Sequence, residues 1–477
     1  MEESSKRRKT ENENEDKIDR LSPLPDTLLC HILSFLPTKT FVSTMTLVSR
    51  RYRHLWKHLQ SFNFYYDYNP ILGANSENFK RFAVFVNAVL TQRHSIDVRK
   101  MRLSCGYFKS QPEDPHAYLY DSWVRSGARF TEMSVDAWIR IAAGPLLEEM
   151  NLALFTSEDH GFRLPLAVLS CPKLLSLSLC GEIVVELAQS SAISLPSLKT
   201  LKLDIGNVDV NSVDILLSSC PILETLELAF SPISLAKLRV PSTLKSLKLT
   251  VENDIGACLE IDAPDLKYLS LTRITFANDA AVGNLHNVKE AYLDVFSTPE
   301  NENESVDPLL ILLQALTGIK RLVLRCYTAK TLVDGQPIIN FSNIHFPEFH
   351  HLLHLELILP TFDTFLYGVL QKCPMLQALI IQNDKDTSPN ESDLEVKPST
   401  VPNCLVSHLS YMHIKGYQGD SSEMEFASYV LQNGLVLKKM IISGVLLDQK
   451  KKWEKYRCLS KFSNMPRGSA VCQVTFD

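Results

Sequence analysis

The sequence contains no run of roughly 18 to 20 apolar residues able to cross a bilayer, and its opening stretch, MEESSKRRKTENENEDK, has no apolar core of the kind that directs secretion. A soluble chain in the cytoplasm, the nucleus or both is therefore expected. No C-x-x-C pair occurs among its 11 cysteines. Cys171, Cys220 and Cys373 each stand before a proline in equivalent contexts, and are expected as small core residues in reducing surroundings rather than in disulfides or on zinc. In such a compartment Asn303-Glu304-Ser305 and Asn390-Glu391-Ser392 are chance matches to a glycosylation sequon on exposed loops. An excess of one charge is missing too: Lys+Arg 49 against Asp+Glu 54 leaves a net charge of -5, so no global field draws the chain to nucleic acid or an anionic membrane. The cluster Lys6, Arg7, Arg8 and Lys9 reads either as a nuclear import signal or as part of a solvated tail over residues 1–18.

Motifs of catalysis are absent as well. The sequence has no G-x-x-x-x-G-K-[ST], G-x-G-x-x-G, G-x-S-x-G or H-E-x-x-H, so nothing recognisable cradles a phosphate, activates a serine or holds a catalytic metal. The best metal candidate, His345, His350, His351 and His354, lacks a cysteine or carboxylate to complete it, and neither cofactor nor metal is expected.

What is present is an ordinary globular composition, 45% hydrophobic and 22% charged, in a chain of 477 residues. That length implies two to four domains, or a repeat array that grows without a single-core limit. From Asp19 to Gln60, proline and hydroxyl residues divide the chain into three short helical stretches. Pro25 suits a first helical turn; Leu28, Ile32 and Leu36 recur every fourth residue beside Leu29 and Leu33, and Pro37 ends the helix. Thr38 and Ser49 are the expected N-caps of the next two, the last of which places Tyr52, Leu55, Trp56 and Leu59 on one face. So small a module cannot bury all that apolar surface internally. It either meets a partner or caps the domain that follows.

Leu24-Pro25-Asp26, then Leu28, Leu29, Ile32 and Leu33-Ser34-Phe35-Leu36-Pro37-Thr38-Lys39, then Val48-Ser49-Arg50-Arg51 with Tyr52 and Leu55-Trp56, resemble an F-box over residues 19–60. The resemblance implies a module that binds a Skp-type adaptor and through it a cullin-RING ubiquitin ligase. It places Leu24, Pro25, Leu28, Ile32, Leu36, Val42, Leu47 and Trp56 at that contact or in support of it, with Tyr52 standing where many relatives have Trp. Arg50, Arg51, Arg53 and Lys57 are expected on a solvated face or at the rim.

After a connecting region, 61–144, the phrase L-x-x-L-x-L recurs over 145–382. Clear copies are CPKLLSLSL, LPSLKTLKL, CPILETLEL, VPSTLKSLKL, APDLKYLSL and CPMLQALII; PLLEEMNLAL, LHNVKEAYL, LTGIKRLVL and FHHLLHLEL are weaker. This is a leucine-rich-repeat pattern in which the L-x-L leucines of each short strand point inward and the residues between them face an open surface. Lys202, Glu227, Lys248, Tyr268, Tyr292, Arg321, Arg325 and Glu356 fall on those outward positions, and a Tyr/Arg group there suits recognition of a protein client. The acidic stretch from Ser297 to Pro308 is expected as a loop, and 383–400 as a linker. Beyond it Val401-Pro402, Cys404-Leu405, Ile414, Gly416-Tyr417, Gly419, Tyr429 to Asn433, Leu437 to Met440 and Met465 to Ser469, with Cys472 and Phe476, resemble an FBD domain over 401–477.

The expected architecture is thus an α/β chain: a three-helix F-box, an irregular leucine-rich-repeat solenoid and a C-terminal α+β FBD region capping its open end. The expected function is a non-catalytic substrate adaptor of an SCF-type ubiquitin ligase. The alternatives are an F-box/LRR small-molecule sensor or a ligase-independent binding scaffold.

Overall fold

A computed structural model describes residues 23–48, 50–66, 76–94, 97–105, 132–155, 161–187, 193–205, 210–230, 238–251, 259–276, 281–283, 285–297, 308–325, 346–359, 362, 365–383, 400–444 and 460–476. The basic cluster at Lys6 to Arg8 and Lys9, Ser49, residues 298–307, His345, both sequons and the linker from 384 to 399 lie outside them. The chain divides into two compact units, Met1–Leu174 and Leu175–Asp477.

In the first unit Pro25 stands at the N-cap position of helix α1 (Asp26–Leu33). A second helical stretch runs from Thr38 to Val48 through a π-turn at Phe41–Met45, and a third from Tyr52 to His58. Thr38 is not the cap that its position suggested: Pro37 takes that place, and the buried Thr38 hydroxyl accepts the Asn63 N–H at 2.8 Å, tying the helices to the first strand. Strands β1 (Ser61–Tyr66), β2 (Lys100–Cys105) and β3 (Glu149–Leu154) pair in parallel. The connecting region therefore carries two strands ahead of the first L-x-x-L-x-L phrase, and its inward positions are Phe62, Phe64 and Tyr66 and then Met101, Leu103 and Cys105. Helices α2 (Ser76–Gln92) and α3 (Glu132–Ala142) belong to the same unit. Trp138 of α3 is fully buried against Phe79 and Phe82 of α2, and its indole N–H donates to Asn87 Oδ1 at 2.6 Å.

The second unit is a ladder of parallel strands, one per repeat: β4 (Ser176–Gly181), β5 (Thr200–Ile205), β6 (Thr225–Phe230), β7 (Ser246–Val251), β8 (Tyr268–Phe276), β9 (Glu290–Ser297), β10 (Arg321–Arg325), β11 (His354–Leu359), β12 (Ala378–Asn383), β13 (Tyr411–Lys415), β14 (Lys439–Ser443) and β15 (Gln473–Phe476). Every neighbour in that order is a pairing partner. The register stacks Leu177, Leu201, Leu226, Leu247, Leu269, Ala291, Leu322, Leu355 and Leu379 in one file, all buried. Each Leu so buried contributes about 1.5 to 3 kcal/mol, and only the adjacent repeats can bury it. The weaker phrases form strands as complete as the clear ones. Cys220 and Cys373 are buried as expected, and burial pushes the Cys220 thiol up to about 12.

Helices α4 (Val210–Ser218), α5 (Pro308–Ala315) and α6 (Phe365–Lys372) join strands on the returning side, followed by α7 (Asn403–Ser407) and α8 (Ser421–Asn433). The C-terminal region does not build a sheet of its own, because β13 to β15 continue the repeat ladder in parallel. Phe426 and Tyr429 of α8 pack on Tyr367 of α6 with ring centroids 5.4 and 4.9 Å apart. Gly416, at φ +70, makes the turn after β13, and a Cβ there would lie 3.0 Å from the Asn383 carbonyl oxygen.

Glu423 is the polar pin of this end. Its buried carboxylate accepts the backbone N–H groups of Gln418, Gly419 and Asp420 at 2.9, 2.8 and 3.2 Å, and the Asn383 side-chain amide at 3.0 Å. It thus completes the capping box of α8 and fastens that helix to the end of β12. Glu423→Ala is expected to cost about 3 kcal/mol in urea unfolding, because several buried donors lose their acceptor. Glu423→Gln keeps an acceptor for the backbone and should cost less. Burial raises the Glu423 pKa above its ordinary 4.5 against the opposing pull of the Asn383 and backbone hydrogen bonds. A carboxyl raised in the folded state is held more favourably when protonated, so the wild type should lose stability relative to the Gln variant as pH rises from about 4.5 through the folded value. Urea midpoints of both proteins across that range check it.

Candidate functional site

Helix α1 has two apolar faces with different fates. Leu29 and Leu33 point into the module and are buried, whereas Leu28 and Ile32 remain 50% and 42% exposed. Phe35 follows Leu28 and Ile32 at i+7 and i+3 and is 75% exposed, and Leu47 of the second stretch is 80% exposed. The core that supports them is Phe41, Tyr52, Leu55, Trp56 and Leu59, all buried. Trp56 can therefore only support a contact made by others, while Leu24, Leu36 and Val42 are half-buried and Pro25 is exposed. Phe35 stood within the quoted motif but outside the candidate residues, although its spacing from Leu28 and Ile32 was the signal for it.

The entry to α1 is held by a cation. Arg51 donates through Nε to Asp26 Oδ1 at 2.8 Å and through Nη2 to the Leu24 carbonyl at 2.7 Å, clamping Leu24-Pro25-Asp26 onto the third helical stretch. Cys30 Sγ, one turn further along the same face of α1, reaches the Leu55 carbonyl at 3.6 Å. The two contacts fix the rotation of α1, and with it the direction of Leu28 and Ile32. A cleft of 770 Å³ opens beside this helix, lined among others by His31, Phe35, His58, Asn63, Arg102 and Glu149. Its charged walls already pair with one another, as in Arg99 with Glu148 and Lys100 with Glu149.

On the repeat ladder the outward strand positions are mixed. Lys202 donates to Glu227 Oε1 at 2.7 Å, and Lys415 to Glu356 Oε1 at 2.7 Å. Lys248, beside Glu227 in register, is half-buried. Tyr268, Glu290, Arg321 and His354 form one exposed row across β8 to β11. Burial, and then the Arg321 charge, pushes the His354 imidazole down, with Glu290 opposing.

Arg325 departs from the expectation. It shares the outward parity of Arg321 but is only 3% exposed, and the residue opposite it in register, Asp294, is fully buried. The outward positions Thr272 and Ile358 of the same level are buried as well. Strand alternation fixes which face a residue takes, not whether that face is open at that level. Arg325 belongs instead to an internal network. It hydrogen-bonds Tyr292, whose phenol burial and the Asp294 charge push up to about 12. Among the described residues no group of three or more His, Cys, Asp or Glu side chains is placed to hold a metal, and no helix is long and apolar enough to cross a membrane.

Comparison with known proteins matches three segments. The F-box domain model covers residues 21–64, the model for the LRR repeats of FBD-associated F-box protein At5g56370 covers 135–291, and the FBD model covers 397–442. The chain is similar to three Arabidopsis thaliana proteins along 96% of its length. They are F-box/FBD/LRR-repeat protein At1g78750, 28% identical over 96% of that protein, F-box/FBD/LRR-repeat protein At5g56420, 29% over 99%, and FBD-associated F-box protein At5g56370, 27% over 100%. The segment that leaves Leu28, Ile32, Phe35 and Leu47 exposed is the F-box match, and the strand ladder carries the other two. With an F-box, leucine-rich repeats and an FBD region matched in one sequence, the chain has the domain organisation of the F-box/FBD/LRR-repeat proteins to which it is similar.

Proposed function

We propose that the chain is the client-recognition subunit of an SCF-type ubiquitin ligase, binding a Skp-type adaptor through the F-box and a protein client through outward positions of the repeats, with no catalysis of its own. The observation that carries the reading is the divided surface of α1, where Leu29 and Leu33 hold the module together while Leu28, Ile32 and Phe35 stay exposed. An apolar patch of that kind on a folded module is the signature of an interaction site. The exposed row with Tyr268 and Arg321 supports client binding, since both side chains combine large contact area with directional polar groups. Work in the cytoplasm, the nucleus or both agrees with this role.

Leu28→Ala with Ile32→Ala should leave the fold intact, because both side chains are half exposed already. Each loses about 1 to 1.5 kcal/mol of burial at the contact, so adaptor recovery in a pull-down should fall about 30-fold or more while the client is retained. Undiminished adaptor binding by a variant with wild-type circular dichroism would remove the basis of the reading.

On the repeats the two arginines should behave oppositely. Arg321→Glu, exposed, should weaken client capture with a stability change within about 0.5 kcal/mol. Arg325→Glu would bury a second carboxylate beside Asp294 and should cost about 3 to 5 kcal/mol in denaturant unfolding. Normal capture of every client by a Tyr268→Ala, Arg321→Glu double variant would exclude this row as the reading surface.

A further inference from the structure

One rung lies just outside the strands, at the residue that follows each repeat's inward anchor. Successive repeats place Lys199, Glu224, Lys245, Lys267, Lys289, Lys320 and Leu353 there, and each donates its backbone N–H to the carbonyl of the one before, at 2.8 to 2.9 Å. These residues are therefore stacked in line along the ladder. At one end the row is neutralised, since Glu224 lies 3.7 Å from Lys199 and 3.1 Å from Lys245. Lys267, Lys289 and Lys320 continue it, all exposed, and among the described residues no carboxylate comes within ion-pair distance of any of them. Glu290, the residue after Lys289, lies opposite Arg321 in register and, across it, His354.

Stacked like charges oppose folding, because neighbouring strands hold them only about 4.8 Å apart. The row contributes nothing to the core, and an anion lying along it relieves its repulsion. We infer that Lys267, Lys289 and Lys320 form a docking ridge for an extended acidic peptide segment of a client protein. This deepens the client-binding reading above and rests on it. Three rungs span about 10 Å, and two carboxylates on one face of an extended segment, about 6.8 Å apart, lie within that distance. A protein segment fits better than nucleic acid. The chain's net charge of -5 repels a long polyanion beyond the ridge, and no aromatic side chain occupies the row to stack a base.

The test uses the full chain and a fluorescein-labelled peptide of alternating glutamate and serine, followed by anisotropy at low and high salt. Lys267→Gln with Lys289→Gln and Lys320→Gln should bind the peptide about tenfold more weakly and with a shallower salt dependence, since each exposed pair is modest alone. The corresponding Lys→Arg triple variant should bind as the wild type does, and the thermal midpoint of the Gln variant should be unchanged or higher. Peptide affinity unchanged in the Gln variant would overturn the inference. So would an oligothymidylate of equal charge that binds more tightly than the peptide, or a lowered midpoint that assigns the row a structural role. A chain that ignores the peptide but still captures its client through Tyr268 and Arg321 contradicts the ridge alone. A client indifferent to every repeat substitution contradicts the reading on which the ridge rests.

Discussion

The second unit depends on one constraint: a repeat cannot bury its own leucines, so each strand must sit in register with the next. The file running from Leu177 through Leu226, Leu269 and Leu322 to Leu379 is buried by neighbours and by nothing within a single repeat. Once that register is imposed, every other position is repeated as well. Rows of equivalent residues follow on the outward face and at the rung before it, and their chemistry is left to the individual side chains. A surface of ordered rows is thus a by-product of core formation, which is why recognition residues can vary there with little effect on folding.

The F-box solves a different problem. It is too small to hide all its apolar side chains, and α1 divides them so that one set folds the module and the other stays outside. The clamp from Arg51 to Asp26 and to the Leu24 carbonyl holds the entry of the helix, so the exposed set is presented in one orientation. Preorganisation of this kind lowers the ordering cost of association. The arrangement joins sequence to function through geometry: heptad-like spacing of Leu28, Ile32 and Phe35 becomes a single exposed face.

Much of this was legible from residue order alone. The L-x-x-L-x-L phrase located strands β3 to β12, including those whose phrases substitute Val288, Ala291 or Ile319 for leucine, because the buried file tolerates any apolar residue of suitable size. Strands β1 and β2 were not legible as repeats. SFNFYY and KMRLSC alternate correctly, but the inward residues are aromatic in the first and Met101, Leu103 and Cys105 in the second, so the repeated leucine phrase is missing. Thr38 was misplaced by one residue because a hydroxyl after proline looks like a cap, whereas a long-range bond to Asn63 uses it. Arg325 failed for a reason no local pattern contains, since parity assigns it to the open face and tertiary burial closes that level. The role of Glu423 was equally hidden, because its partners Asn383 and Gln418 are brought together only by the continuation of the ladder into β13.

The central proposal is a division of labour, in which the exposed F-box face would take up a Skp-type adaptor while the rows on the repeats remain available to a client. Hydrogen exchange of the full chain, with and without that adaptor, tests it most directly. The account requires slowed exchange in α1 and in the stretch from Phe41 to Val48, with β4 to β15 unchanged. Protection confined to the repeat strands, or none in α1 at adaptor concentrations that saturate binding, would contradict it.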